Sequence, residues 1–151
     1  MKQSTDRVAE IEVSYRPAIS HKPIVKTALD AYTELVKFFP ERTIALQEKF
    51  VAMYMNRNNR VLGVYPLSEG GLTGTVADIR LILGIALKVA ATGIILCHNH
   101  PSGNLKPSQA DISLTSKISS AAAFMDIKVI DHIILSGNED TYYSFADDGM
   151  L

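Results

Sequence analysis

The uninterrupted apolar run Ile94–Cys97 constrains the fold most, because it offers no polar residue to either face of a strand. Such strands are typical of sheets that are covered on both sides. The run follows apolar residues at helical spacing over Ile79–Ala90, and Gly93 stands where a helix C-terminal cap is expected. A second helical pattern, Gln109–Met125, precedes a second apolar run, Ile127–Leu135. This order predicts an α/β fold with a mixed β-sheet flanked by helices.

Shorter patterns predict the remaining elements. Apolar and polar residues alternate over Val8–Tyr15, which predicts an edge strand, and helical spacing over Ile24–Phe39, with Pro23 in the first turn, predicts an amphipathic helix. Thr75 and Asp78 have the spacing of a helix capping box. The other predicted strands are Phe50–Met55 and Val61–Val64, joined as a hairpin by residues 56–59, and a terminal strand at Tyr142–Phe145.

Length, charge and cysteine content limit the classes of protein. A chain of 151 residues fits one domain, and we expect an N-terminal extension at 1–23 and the domain at 24–151. The net charge of -1 argues against a dedicated binder of duplex DNA. The single cysteine, Cys97, excludes an internal disulfide and a multi-cysteine zinc site. Since no secretory signal or membrane-spanning run is evident, we expect a soluble cytoplasmic protein.

A pair of histidines follows the first apolar run. His98 and His100 are two residues apart, so both project from one face of a strand and can converge on one ion, while Asn99 points the other way. Asp111, at the start of the next predicted helix, can face back toward the strand end. Two imidazoles, one carboxylate and an open fourth position are typical of catalytic zinc, which acidifies a bound water. A separate carboxylate must then take the proton, and the sequence offers Glu48 and Glu69.

Simpler interpretations compete with a metal site. Ser108 and Asp111 have the spacing of a helix capping box, the commoner reason for that pattern, and a His-x-His pair also occurs on solvated strand ends. The three side chains together favour a metal. Asp131–His132 lies inside an apolar strand, where we expect a buried histidine with a polar partner rather than a fourth ligand. A supporting role behind a ligand stays open for this histidine.

The spacing resembles a known signature. His98, His100, Ser108 and Asp111 match the JAMM (JAB, MPN-plus) metalloprotease motif of His-x-His, seven residues, Ser, two residues and Asp. More narrowly, residues 98–111 and the stretch VIDHIILS that begins at residue 129 resemble the RadC-like branch of that family. The resemblance implies a JAB/MPN sandwich similar to that of the cytidine deaminases. The helix-hairpin-helix region typical of RadC proteins has no counterpart before Ile24 in this sequence, which puts DNA association through that module in doubt.

The resemblance also implies roles for individual residues. It assigns the metal ligands to His98, His100 and Asp111, with zinc as the metal, and it assigns oxyanion stabilisation to Ser108. Glu48, ahead of the predicted hairpin, takes the family's position of general acid and base, whereas Glu69 is expected to line the site or to be solvated.

These expectations favour a zinc-dependent metallohydrolase that cleaves a peptide or isopeptide amide in a peptide or protein substrate. One alternative is a RadC-like DNA-repair or mobile-element accessory protein that acts by binding a partner or DNA. Another is a metal-dependent nuclease using the same site. A zinc deaminase is disfavoured because the chain lacks its P-C-x-x-C motif. The sequence does not indicate the oligomeric state.

Overall fold

The structure is a computed structural model that describes residues 8–18, 22–70 and 77–151. These residues form a sheet, four α-helices and one short 3-10 helix. In chain order the elements are α1 (Ala28–Leu35), the 3-10 helix Val36–Phe38, α2 (Glu41–Ile44), β1 (Lys49–Met55), β2 (Val61–Glu69), α3 (Ile79–Lys88), β3 (Gly93–His100), α4 (Gln109–Ala123), β4 (Lys128–Ser136) and β5 (Tyr142–Ser144).

The five strands form one mixed sheet in the order β2-β1-β3-β4-β5. β3 and β4 are parallel, and every other neighbouring pair is antiparallel. Parallel neighbours need a crossover connection, which α4 provides between β3 and β4. The central position of β3 explains why its sequence is apolar on both faces.

Helices cover both faces of the sheet. Ile94 and Leu96 of β3 point into a core formed with α3 and α4, which we call the α4-side core. Ile95 and Cys97 point into a second core formed with α1, which we call the α1-side core. The prediction of an α/β fold with a mixed sheet flanked by helices is confirmed, and the architecture is consistent with a JAB/MPN-type fold.

The predicted helix over Ile24–Phe39 is wrong in its first turn. Ile24 forms an antiparallel bridge with Arg60, and the Pro23 carbonyl accepts a hydrogen bond from the Val61 amide at 2.9 Å. The helix begins only after Thr27, whose side chain accepts from the amide of Asp30 while the Asp30 carboxylate accepts from the amide of Thr27. This capping box defines the start more strongly than the proline does.

The predicted edge strand over Val8–Tyr15 is also wrong, because residues 8–18 contain no strand. Ile11 and Val13 remain 87% and 69% exposed. The Tyr15 hydroxyl donates to the Leu62 carbonyl at 2.6 Å and thereby ties this segment to β2. Alternation alone does not make a strand where no backbone ladder forms.

The boundaries of α3 differ from those predicted. Thr75 lies outside the described residues, and Asp78 is the N-terminal cap, accepting from the Arg80 amide. At the other end Ala90, with φ of 53°, takes the left-handed conformation expected of Gly93. Gly93 instead begins β3, where a Cβ would collide with the Ile130 side chain. None of the helices in the described part of the chain has the length and hydrophobicity that a membrane span requires.

Candidate metal centre

The end of β3 presents two histidines on the α4 side of the sheet. His98 is fully buried and its ring stacks on Phe50 of β1 with 5.7 Å between ring centroids. His100, the last residue of β3, is partly exposed. Their Nε2 atoms are 3.0 Å apart, so the alternation of the strand brings both imidazoles to one point, as the spacing predicts.

The first turn of α4 adds a carboxylate to this point. Asp111 Oδ1 is 3.2 Å from His98 Nε2, and Asp111 Oδ2 is 3.3 Å from His100 Nε2. One ligand atom from each of the three residues lies within 4.8 Å of the others, an arrangement that could hold a metal ion. We call these three side chains the His-His-Asp cluster.

Asp111 belongs both to the capping box of α4 and to the His-His-Asp cluster. Its amide donates to Ser108 Oγ at 3.0 Å, and its Oδ2 accepts from the Ser108 amide at 2.7 Å. The two interpretations of the Ser108–Asp111 spacing are therefore compatible. The cap holds the carboxylate in place at the helix start, facing the strand end.

The donor set of the cluster fits a divalent metal. The Nδ1 atom of His100 lies 2.6 Å from the carbonyl oxygen of Asn104, which can only accept, so Nδ1 carries a proton. In the neutral ring Nε2 therefore keeps its lone pair. Two imidazole nitrogens and one carboxylate match the protein ligands of catalytic zinc sites. The side chains of His100 and Asp111 are 17% and 14% exposed, which leaves the cluster accessible for a further ligand.

The electrostatics of the cluster favour positive charge. When no metal is bound, a protonated His100 can donate from Nε2 to Asp111, and this bond raises the pKa of His100 against the opposing effect of burial. Burial by itself would raise the pKa of Asp111, but hydrogen bonds from the protonated forms of His100 and His98 hold that pKa well below its ordinary value. The carboxylate is therefore ionised at neutral pH, and a cation placed between these groups would be stabilised.

A third histidine lies directly behind the cluster. His132 is fully buried on β4, and its Nε2 is 2.8 Å from Nδ1 of His98. Its Nδ1 is 2.6 Å from the hydroxyl of Thr115 on α4, and burial lowers the pKa of His132 well below its ordinary value. The predicted buried histidine with a polar partner is confirmed: its ring contacts His98 and Thr115, and its backbone amide donates to Asp131 Oδ1 at 2.7 Å.

Glu48 immediately precedes β1, the antiparallel neighbour of the strand that carries both histidines. The pairing of β1 with β3 ends at Phe50 and His98, and Glu48 lies two residues ahead of Phe50, at the same end of the sheet as the histidines. Glu48 is half-buried just ahead of β1, and its negative charge contributes to the raised pKa of His100. Of the two carboxylates considered from sequence, this one is near the histidines.

Glu69 is turned away from the cluster. It pairs with Lys49 across β1 and β2, so the two side chains share one face, and its Oε1 is 3.4 Å from Lys49 Nζ. Lys49 Nζ in turn lies 6.0 Å from the ring centroid of Phe39, which belongs to the α1-side core. Glu69 is therefore an exposed ion-pair residue on the opposite face.

Asn99 anchors the turn that carries Glu48. Fully buried on the α1 side of β3, it accepts from the Lys49 amide at 2.7 Å through Oδ1. Its Nδ2 donates to the carbonyls of Ile44 at 2.7 Å and Gln47 at 2.8 Å. These bonds lie on both sides of Glu48 and connect its turn to the strand that carries both histidines. The sequence predicts that Asn99 points away from the two histidines, but it does not indicate that the partners of its side chain flank Glu48.

We expect Asn99→Ala to lower the free energy of unfolding by about 2–3 kcal/mol, since three hydrogen bonds of roughly 1 kcal/mol each are lost at a buried site. Urea denaturation would measure this. Asn99→Asp is the matched variant, because its carboxylate can accept from Lys49 but cannot donate to the two carbonyls. Equal stability of wild type and Asn99→Ala would contradict the anchoring role.

Comparison with known proteins points to one family. A family model described as RadC-like JAB domain matches residues 22–150 of this chain. A UPF0758 protein of Flavobacterium johnsoniae is 42% identical over 127 residues, which cover 84% of this chain and 53% of that protein. A UPF0758 protein of Porphyromonas gingivalis is 35% identical over 144 residues, covering 95% of this chain and 63% of the relative.

A third relative, the UPF0758 protein YfjY of Escherichia coli, is 38% identical over 105 residues, or 70% of this chain and 64% of its own length. This chain therefore spans less than two thirds of each of these relatives. Their names specify neither a reaction nor a ligand.

Proposed function

Since the chain belongs to the RadC-like JAB domain family, we propose that it is a zinc-dependent metallohydrolase of the JAMM type that cleaves a peptide or isopeptide amide bond. The observation that supports this best is the His-His-Asp cluster, whose three ligand atoms lie within 4.8 Å of one another beside a half-buried glutamate. Metal ligands together with a nearby carboxylate that is not one of them are the minimum that metal-assisted hydrolysis requires.

In this proposal His98, His100 and Asp111 hold the zinc ion. When bound, zinc supplies Lewis acidity that lowers the pKa of a water molecule and polarises the amide carbonyl. Glu48 takes the proton from the attacking water and returns it to the leaving amine, as general base and then general acid.

Ser108 is proposed to donate a hydrogen bond from its hydroxyl group to the oxyanion of the tetrahedral intermediate. Its Oγ already accepts from the Asp111 amide, and a hydroxyl that accepts one bond still has its own proton to donate. The helix cap would thereby hold this donor next to the carboxylate of the cluster.

The proposal is tested with zinc-loaded, tag-free protein and two probes, a library of internally quenched peptides and a peptide joined through a lysine side-chain amide. We expect cleavage that is lost on chelation and lost in Asp111→Ala, which controls for a contaminating protease. Plasmid DNA incubated under the same conditions tests the nuclease alternative. Zinc-dependent plasmid cleavage without amide cleavage, lost in Asp111→Ala, would contradict the proposal.

A further inference from the structure

A buried chain of hydrogen-bonding groups extends from His98 away from the proposed metal position. It runs from His98 Nδ1 to His132 Nε2 at 2.8 Å and from His132 Nδ1 to Thr115 Oγ1 at 2.6 Å. Thr115 Oγ1 is also 2.6 Å from the backbone carbonyl oxygen of Asp111. The chain begins and ends at residues of the His-His-Asp cluster.

Thr115 determines which group donates and which accepts at each contact of this hydrogen-bonded series. The Asp111 carbonyl has no proton, so the contact at 2.6 Å is a hydrogen bond only if the Thr115 hydroxyl donates to it. A hydroxyl has one proton, which is then used. At its second contact Thr115 Oγ1 must accept, and the donor there is Nδ1 of His132.

The position of the proton on His132 determines the position of the proton on His98. A neutral imidazole that carries its proton on Nδ1 has a lone pair on Nε2, so His132 accepts at Nε2. The partner at 2.8 Å is His98 Nδ1, which must therefore carry a proton and donate. In neutral His98 the remaining nitrogen, Nε2, then has a free lone pair, and this is the atom that faces His100 and Asp111.

We propose that Thr115 and His132 are positioning residues that select the His98 tautomer able to bind the metal through Nε2. This inference rests on the proposed zinc site. Groups behind a metal-bound histidine commonly fix its tautomer and ring orientation. Here the selection originates in a threonine that has no contact with the metal position.

Because these three side chains are buried, they have few alternative hydrogen-bond partners. His98 and His132 have no exposed surface, and Thr115 is 2% exposed. The rings of Phe50 and Phe145 stack on His98 and His132, with centroid distances of 5.7 and 4.8 Å. An unmade hydrogen bond is costly at a buried position. If donor and acceptor exchanged roles at one contact of this series, they would therefore exchange roles at the next contact too.

Thr115→Val tests the inference with little change of shape. Without the hydroxyl, His132 Nδ1 has no acceptor, and the favoured arrangement reverses: His132 donates from Nε2 to His98 Nδ1, and His98 carries its proton on Nε2. We expect zinc affinity, measured by competition with a fluorescent chelator, to fall by about 10–100-fold. Thr115→Ser retains the hydroxyl and is expected to bind zinc as the wild type does. A Thr115→Val protein with wild-type zinc affinity would overturn the inference.

A second measurement does not depend on the variant folding or on zinc. In the zinc-free wild type, ¹⁵N NMR of the imidazole side chains should show His132 protonated on Nδ1 and unprotonated on Nε2. A wild-type His132 protonated on Nε2 would overturn the inference. Failure of the proposed function has a different signature, namely a wild-type protein that binds zinc and cleaves no amide.

Discussion

Glu48→Gln is expected to lower the rate of amide cleavage by about 10²–10⁴-fold while leaving the zinc content unchanged. Glutamine has nearly the same shape as glutamate but cannot take a proton from water. Glu48 is outside the His-His-Asp cluster, so its substitution removes no proposed ligand. The measurement is kcat with the cleaved probe, together with elemental analysis of the same sample.

Glu69→Gln is the matched control, because Glu69 is the other carboxylate at this hairpin and lies on the opposite face of the sheet. We expect it to retain wild-type kcat. Wild-type activity in Glu48→Gln with loss of activity in Glu69→Gln would show that the general base is misassigned.

Zinc is expected to raise the melting temperature of the wild type and not that of Asp111→Ala. Free zinc at about 100 times its Kd stabilises the folded state by about 2.7 kcal/mol. For a domain of this length each kcal/mol moves the midpoint by about 2–4 °C, so the expected rise is about 5–11 °C. Differential scanning calorimetry with and without zinc measures it.

Ser108→Ala separates the helix cap from the metal site. It removes the side-chain bond to the Asp111 amide, so the protein should lose about 1 kcal/mol of stability, but all three ligands remain. Zinc should therefore still raise the melting temperature of Ser108→Ala by most of the amount seen in the wild type. An equal rise in Asp111→Ala would mean that zinc binds elsewhere on the protein.

The central part of the fold could be predicted from sequence because its signals are local and strong. The apolar run Ile94–Cys97 has both faces buried, and a sheet covered by helices is what such a strand requires. The positions of His98 and His100 follow from the two-residue period of a strand, and Asp111 follows from its place in the first turn of a helix.

The parts that could not be predicted depend on contacts between distant segments. Thr115 contacts His132 across 17 residues of sequence, and the helical pattern of α4 does not indicate that these two side chains meet. The family resemblance favours Glu48 over Glu69, but the residues alone leave the choice open. It depends on the pairing of Lys49 with Glu69, on the face opposite to the one where Phe50 stacks on His98. The alternation over Val8–Tyr15 predicts a strand, but a backbone ladder also needs a neighbouring strand.

Metal content tests the central claim most directly. Elemental mass spectrometry on tag-free protein would compare the wild type with His98→Ala and Asp111→Ala, each after zinc is supplied and the excess is removed. We predict about one zinc per chain in the wild type, since the cluster provides the ligands of one site, and loss of that zinc in both variants. A wild type without bound zinc, or variants that retain it, would contradict a metal centre built from these residues.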